Sequence, residues 1–86
     1  MKTPTLDFYY FEECPYCQRV IRTIKKLNIL VNWNNIHEDS KHMNFLVDAT
    51  GRRTVPCLFI DGKPMHESLD IIEWLETNES NLTKNK

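Results

Sequence analysis

The 86-residue sequence predicts one α/β domain of order β-α-β-α-β-β-α, a four-stranded mixed sheet with helices on both faces. Three observations predict it. An apolar run at Leu6 to Phe11 leads into a helix-period stretch and then an alternating segment, which reads as a parallel pair joined by a right-handed crossover. Asp61-Gly62 is a hairpin turn signal between two short strand-like runs and adds an antiparallel pair. Helix-period segments flank that hairpin on both sides. The domain spans 1–86, with its core at about 6–77 and a frayed polar tail at 78–86.

The first strand is short, dense and mostly buried, although Asp7 interrupts it. Pro15 suits the first position of a helix, where its missing N–H is no loss. Cys17, Val20, Ile21, Ile24 and Leu27 then recur at helical spacing, with Arg19, Arg22, Lys25 and Lys26 on other faces as a solvated surface. Asn28 stops that helix. Val31 to Ile36 alternates apolar and polar residues, as a half-buried strand does. Asp39 or Ser40 caps a second helix, Lys41 to about Thr50, which carries Met43, Leu46 and Val47 inward and closes at Gly51. Cys57 to Ile60 and Lys63 to Met65 form the hairpin, and Pro64 restricts the return strand to an edge. Ser68 opens the last helix, to about Thr77, with Leu69, Ile72 and Leu75 as its core stripe beside Ile71 and Trp74. Trp33 and Trp74 are expected to be partly buried.

Composition narrows the function. The net charge of −1 gives no sign of a nucleic-acid or membrane partner, and no apolar stretch approaches a membrane span. The start, MKTPTLDFYYFEEC, does not read as a secretory signal. Three cysteines are too few and too uneven for a secreted disulfide scaffold. A soluble protein of a reducing compartment, most simply the cytoplasm, is expected.

The chemistry gathers at Cys14-Pro15-Tyr16-Cys17. Structural zinc wants four ligands. Cys57 would have to supply a third and His37, His42 or His66 a fourth, with no second close pair, so no metal is expected. A structural disulfide here would close a loop too short to contribute much. Redox exchange fits better. Cys14 falls after a strand and at a helix start, where free N–H groups stabilise an anion and so raise the thiolate fraction. Cys17, one turn on, is placed to attack a mixed disulfide on Cys14.

Three stretches together resemble the glutaredoxin family of the thioredoxin fold: Cys14-Pro15-Tyr16-Cys17, then Thr54-Val55-Pro56, then Glu67-Ser68-Leu69-Asp70-Ile71. The resemblance covers roughly Leu6 to Leu75. It implies catalytic Cys14 and Cys17, with glutathione as reducing co-substrate. It also implies a binding groove formed by Tyr16, Arg53, Thr54, Val55, Pro56, Glu67 and Ser68. The Val55-Pro56 bond would be cis, with Val55 pairing backbone-to-backbone with the cysteinyl part of glutathione. Ser68 would cap its helix and help receive the γ-glutamyl carboxylate. The implied partners are glutathione and glutathionylated or disulfide-containing proteins, acted on by a monomer.

Two departures qualify the resemblance. Small glutaredoxins usually carry a Gly-Gly pair after the hairpin, followed by an aspartate, and here the stretch is Met65-His66-Glu67-Ser68. The Glu-Ser corner looks like that of glutathione transferases and of larger glutaredoxins that share their architecture, so the chain looks like their thiol-binding half standing alone. A lysine often precedes the first cysteine by three residues, where this chain has Phe11, followed by Glu12 and Glu13. Arg53, Arg52, Arg19 and Lys41 are candidate replacement cations. The two glutamates should oppose the thiolate by a screened, modest amount. Replacing both with glutamine is expected to speed alkylation of Cys14 at fixed pH. An unchanged or slower rate would contradict this.

Two rivals carry different tests. A module binding an iron–sulfur cluster across a dimer would be coloured after anaerobic purification, and Pro15 counts against it. A thioredoxin-like reductase would be served by a flavoprotein instead of glutathione. Cys57 reads as a small core residue, with a regulatory thiol as the alternative, and His66 as a surface histidine.

Overall fold

A computed structural model describes residues 3–85. The chain runs β1 (Leu6–Tyr10), α1 (Pro15–Lys26), β2 (Asn32–Asn35), α2 (Ser40–Thr50), β3 (Cys57–Ile60), β4 (Lys63–Met65) and α3 (Ser68–Asn78). A short 3-10 turn, Glu79–Asn81, follows. The predicted element order is the observed one.

The strands lie in the order β2-β1-β3-β4. β1 pairs parallel with β2, Phe8 opposite Trp33. It pairs antiparallel with β3 on its other side, Phe8 opposite Leu58. β4 closes the hairpin at the edge, and Pro64 stands there opposite Phe59, where no further strand needs its missing N–H.

Alternation along β1 divides the core in two. Leu6, Phe8 and Tyr10 face one way and join Val20, Ile24, Leu58, Ile71 and Leu75 beneath α1 and α3. Tyr9 faces the other way, with Ile36, Leu46, Cys57 and Phe59 beneath α2. Helices therefore cover both faces. Asp7, the polar interruption, accepts a 2.8 Å hydrogen bond from the Asn32 side chain.

Local chemistry sets the helix ends. The Asp39 carboxylate accepts from the Lys41 N–H at 2.9 Å and caps α2, which ends at Gly51 with φ 73°. Asn28 takes φ 57° just beyond α1, a conformation its short polar side chain tolerates.

Four expectations need correction. The second strand is shorter than Val31–Ile36, and Trp33 is 39% exposed on it because β2 is an outer strand. Trp33 still meets Phe8 and Tyr10 edge-on, at 5.8 and 5.6 Å between ring centroids. The buried stripe of α3 is Ser68, Ile71 and Leu75, while Leu69 is 67% exposed. Ser68 is not the cap. It is the first helical residue, and Glu67, at φ 58°, occupies the cap position without a side-chain hydrogen bond. The tail is not frayed over 79–85. Leu82 is buried, the Leu30 N–H donates to the Thr83 carbonyl at 2.8 Å, and the Asn85 N–H donates to the Asn28 carbonyl at 2.9 Å. The polar letters of NESNLTKNK conceal one apolar anchor, Leu82, with backbone pairing to 28–30 just beyond it.

Candidate active site

The end of β1 delivers the chain to the start of α1, and Cys14 is the cap residue there. Its Sγ accepts from the Cys17 N–H at 3.3 Å, so one of the unpaired N–H groups of the first turn points at this sulfur. Pro15 fills the first helical position, as the sequence suggests.

The two thiols differ. Cys17 is fully buried, and its thiol is pushed up to about 12, first by burial and then by its hydrogen bond with Cys14. Cys17 is therefore a protonated thiol at neutral pH. Cys57 is also fully buried, and burial pushes its thiol up to about 11. It lies in the α2-side core, whereas Cys14 and Cys17 lie in the other. Sulfur deprotonation sets alkylation rates. Brief treatment with iodoacetamide at pH 8 is therefore expected to modify Cys14 and leave Cys17 and Cys57 unmodified, as mapped by mass spectrometry. Prior labelling of Cys17 would contradict this ordering.

Tyr16, between the two cysteines, lines an open groove of about 480 Å³, whereas Cys14 and Cys17 are themselves buried and do not line it. α1 contributes Tyr16 and Arg19, and the loop before β3 contributes Thr54, Val55 and Pro56. The start of α3 contributes Glu67, Ser68, Leu69 and Asp70. Val55-Pro56 is a cis peptide bond. The backbone turn at Glu67 brings α3 in with Ser68 buried and Leu69 outward, so the first turn of the helix faces the groove. The N–H groups there lack a side-chain cap and can receive an anion.

The structure thus brings Tyr16, Thr54, Val55, Pro56, Glu67 and Ser68 to one groove. Arg53 is exposed and does not line it, whereas Arg19 does. His66 is not a plain surface residue. It is half-buried at the groove's end, its Nδ1 is buried without a hydrogen-bond partner, and burial lowers its pKa. Leu69 and Asp70 line the groove too, although the sequence reading left them off the site. Their signal was membership of the Glu67-Ser68-Leu69-Asp70-Ile71 stretch that carries the resemblance. Glu12 and Glu13 are exposed. The Gln18 amide donates to the Glu12 carbonyl at 2.7 Å, and the Glu13 carboxylate lies 3.8 Å from His37. Solvent screens both. Phe11, three residues before Cys14, stacks on the His37 ring with centroids 4.4 Å apart. Among the described residues, no group of three or more His, Cys, Asp or Glu side chains is placed to hold a metal.

A cysteine pair at a helix start beside a cis-proline loop, on this mixed sheet, defines a thiol oxidoreductase domain of the thioredoxin fold. The comparisons narrow the class. The family described as "Glutathione S-transferase, N-terminal domain" matches residues 8–83. A protein named "Probable glutaredoxin" from Acanthamoeba polyphaga mimivirus is 31% identical over 83 residues, covering 84% of this chain and 78% of that one. Reduced glutaredoxin C1 from Populus tremula x tremuloides superposes with a TM-score of 0.67 at 27% identity, over 87% of this chain and 67% of that one. Glutathione transferase Omega 3C from Trametes versicolor superposes with a TM-score of 0.77 at 27% identity, over 91% of this chain but 35% of that one. The chain belongs to the glutaredoxin family, and its domain is of the kind that opens the glutathione transferases. It spans 40% and 51% of the length of two rice glutaredoxins that it also matches.

Proposed function

We propose that this protein is a glutathione-dependent thiol–disulfide oxidoreductase that reduces protein–glutathione mixed disulfides and protein disulfides. The observation that carries the reading is the Cys14 sulfur, which accepts from the Cys17 N–H at a helix start, two residues from Tyr16 and the groove that Tyr16 lines.

Cys14, as thiolate, attacks the glutathionyl sulfur of the mixed disulfide. The protein–glutathione S–S bond breaks, the substrate leaves as a thiolate and takes a proton, and a Cys14–glutathione disulfide forms. Val55 would pair its backbone with the cysteinyl unit, and Ser68 with the first N–H groups of α3 would hold the γ-glutamyl carboxylate. Two routes remove the glutathionyl group from Cys14, the first restoring the free thiol and the second leaving a disulfide that two further glutathione molecules reduce. A second glutathione attacks the bound glutathionyl sulfur and leaves as oxidised glutathione. Alternatively, Cys17 loses its proton, attacks the Cys14 sulfur and releases glutathione, leaving a Cys14–Cys17 disulfide. The buried Cys17 must ionise to do so, which favours the first route at neutral pH.

In this reading the protein acts as a monomer on glutathionylated partners. Cycling through free thiols suits a reducing compartment, most simply the cytoplasm. The test is steady-state reduction of a glutathione mixed disulfide, driven either by glutathione with glutathione reductase or by thioredoxin reductase. Turnover is expected in the first system. Turnover in the second alone would replace glutathione with a flavoprotein as the electron source, and visible absorption after anaerobic purification would point to a cluster-binding module.

A further inference from the structure

The groove has an unusual charge balance. Two carboxylates, Glu67 and Asp70, line it. Of the basic side chains the sequence offered, Arg52, Arg53 and Lys41 lie outside it. His66 lines it, but its buried nitrogen disfavours the charged form. That leaves Arg19. Its guanidinium sits 5.5 Å from the centroid of the Tyr16 ring, and it makes no salt bridge among the described residues. Stacking orients a guanidinium while leaving its edge N–H groups free to donate, in the fork that matches a carboxylate. A lone, oriented, unpaired cation in an acidic groove lacks one thing, an anionic ligand group.

We propose that Arg19, held by Tyr16, is the specificity residue that recognises a carboxylate of glutathione. This rests on the glutathione-dependent function proposed above. Glutathione carries two carboxylates, on its glycine and on its γ-glutamyl unit, and either has the chemistry the fork accepts. Arg19 takes no part in bond making. It favours bound glutathionyl substrates over disulfides that lack the anion, and it raises affinity without changing the chemistry at Cys14.

The test compares wild type with Arg19→Gln and Arg19→Lys on three mixed disulfides of one peptide. The first carries glutathione. The second carries the glycine carboxamide of glutathione, and the third carries 4-aminobutyryl-cysteinyl-glycine, which lacks the γ-glutamyl carboxylate. For the glutathione substrate, Arg19→Gln is expected to raise KM about fivefold with kcat retained, as befits a partly exposed pair. Arg19→Lys should recover part of the loss. With the analogue lacking the partner carboxylate, wild type and Arg19→Gln should have equal KM, and the analogue that shows this identifies the carboxylate. An unchanged KM in Arg19→Gln, or the same rise with both truncated analogues, overturns the proposal and leaves the oxidoreductase reading intact. A wild-type protein inactive on all three overturns both.

Discussion

Replacing Cys14 with serine is expected to reduce turnover of a glutathionylated peptide to the rate without protein. A serine hydroxyl at the same position meets the same Cys17 N–H, but it is not ionised at neutral pH and is a poor nucleophile toward sulfur. Nothing else in the site can substitute. Cys17 lies beneath it with its thiol pushed up to about 12, and Cys57 lies across the sheet. Cys17→Ser should behave in the opposite way. The route that uses a second glutathione needs only Cys14, so turnover on the mixed disulfide should persist while reduction of a protein disulfide falls. The paired assay is informative because a merely misfolded variant would lose both activities. Full activity in Cys14→Ser would remove the nucleophile from this account.

The largest effect on stability should come from Phe8→Ala. Phe8 is fully buried on β1, between β2 and β3. Its ring stacks on Tyr10 at 5.4 Å and meets Trp33 edge-on. Truncating a buried phenylalanine to alanine costs about 3–5 kcal/mol, from lost transfer free energy and the cavity left behind. Domains of this class have only about 5–15 kcal/mol in total, and small ones sit at the low end. The guanidinium unfolding midpoint should therefore fall steeply, and the variant should be partly unfolded on warming. Leu69→Ala makes the contrast. That side chain is 67% exposed, so its midpoint should barely move. A loss below about 1 kcal/mol for Phe8→Ala would mean that the α1/α3-side core is not organised around this ring.

Much of this molecule could be read from its sequence because the signals were local. Pro15 at a helix start, Asp39 and Gly51 at the ends of α2, and Asp61-Gly62 between β3 and β4 each fix a short piece of backbone by their own chemistry. The cysteine pair and the Val55-Pro56 loop were also legible, since their spacing and order carry the meaning. What failed was rotational and long-range. In α3, Leu75 was placed in the core correctly, but Leu69 and Ile72 were preferred to Ile71, and the rotation that turns Ile71 inward and Leu69 outward goes with the positive φ at Glu67. No local pattern encodes that angle at a non-glycine residue. The tail was misjudged because Leu82 finds its partners across the chain, beside Ile29 and Leu30. The replacement cation could be narrowed to four residues by sequence. Only the placement of α1 against the groove separates Arg19 from Arg53.

The division of the cysteines between the two sides of the sheet has a consequence for oxidative damage. β3 carries Cys57 toward α2, while Cys14 and Cys17 lie in the core on the side of α1 and α3. The sheet therefore stands as an insulating wall between Cys57 and the Cys14–Cys17 pair. A mispaired bridge to Cys57 has no path through packed strands in the folded state. It becomes reachable only when the wall comes apart, so scrambled bridges in a stored sample would record past unfolding, not past catalysis.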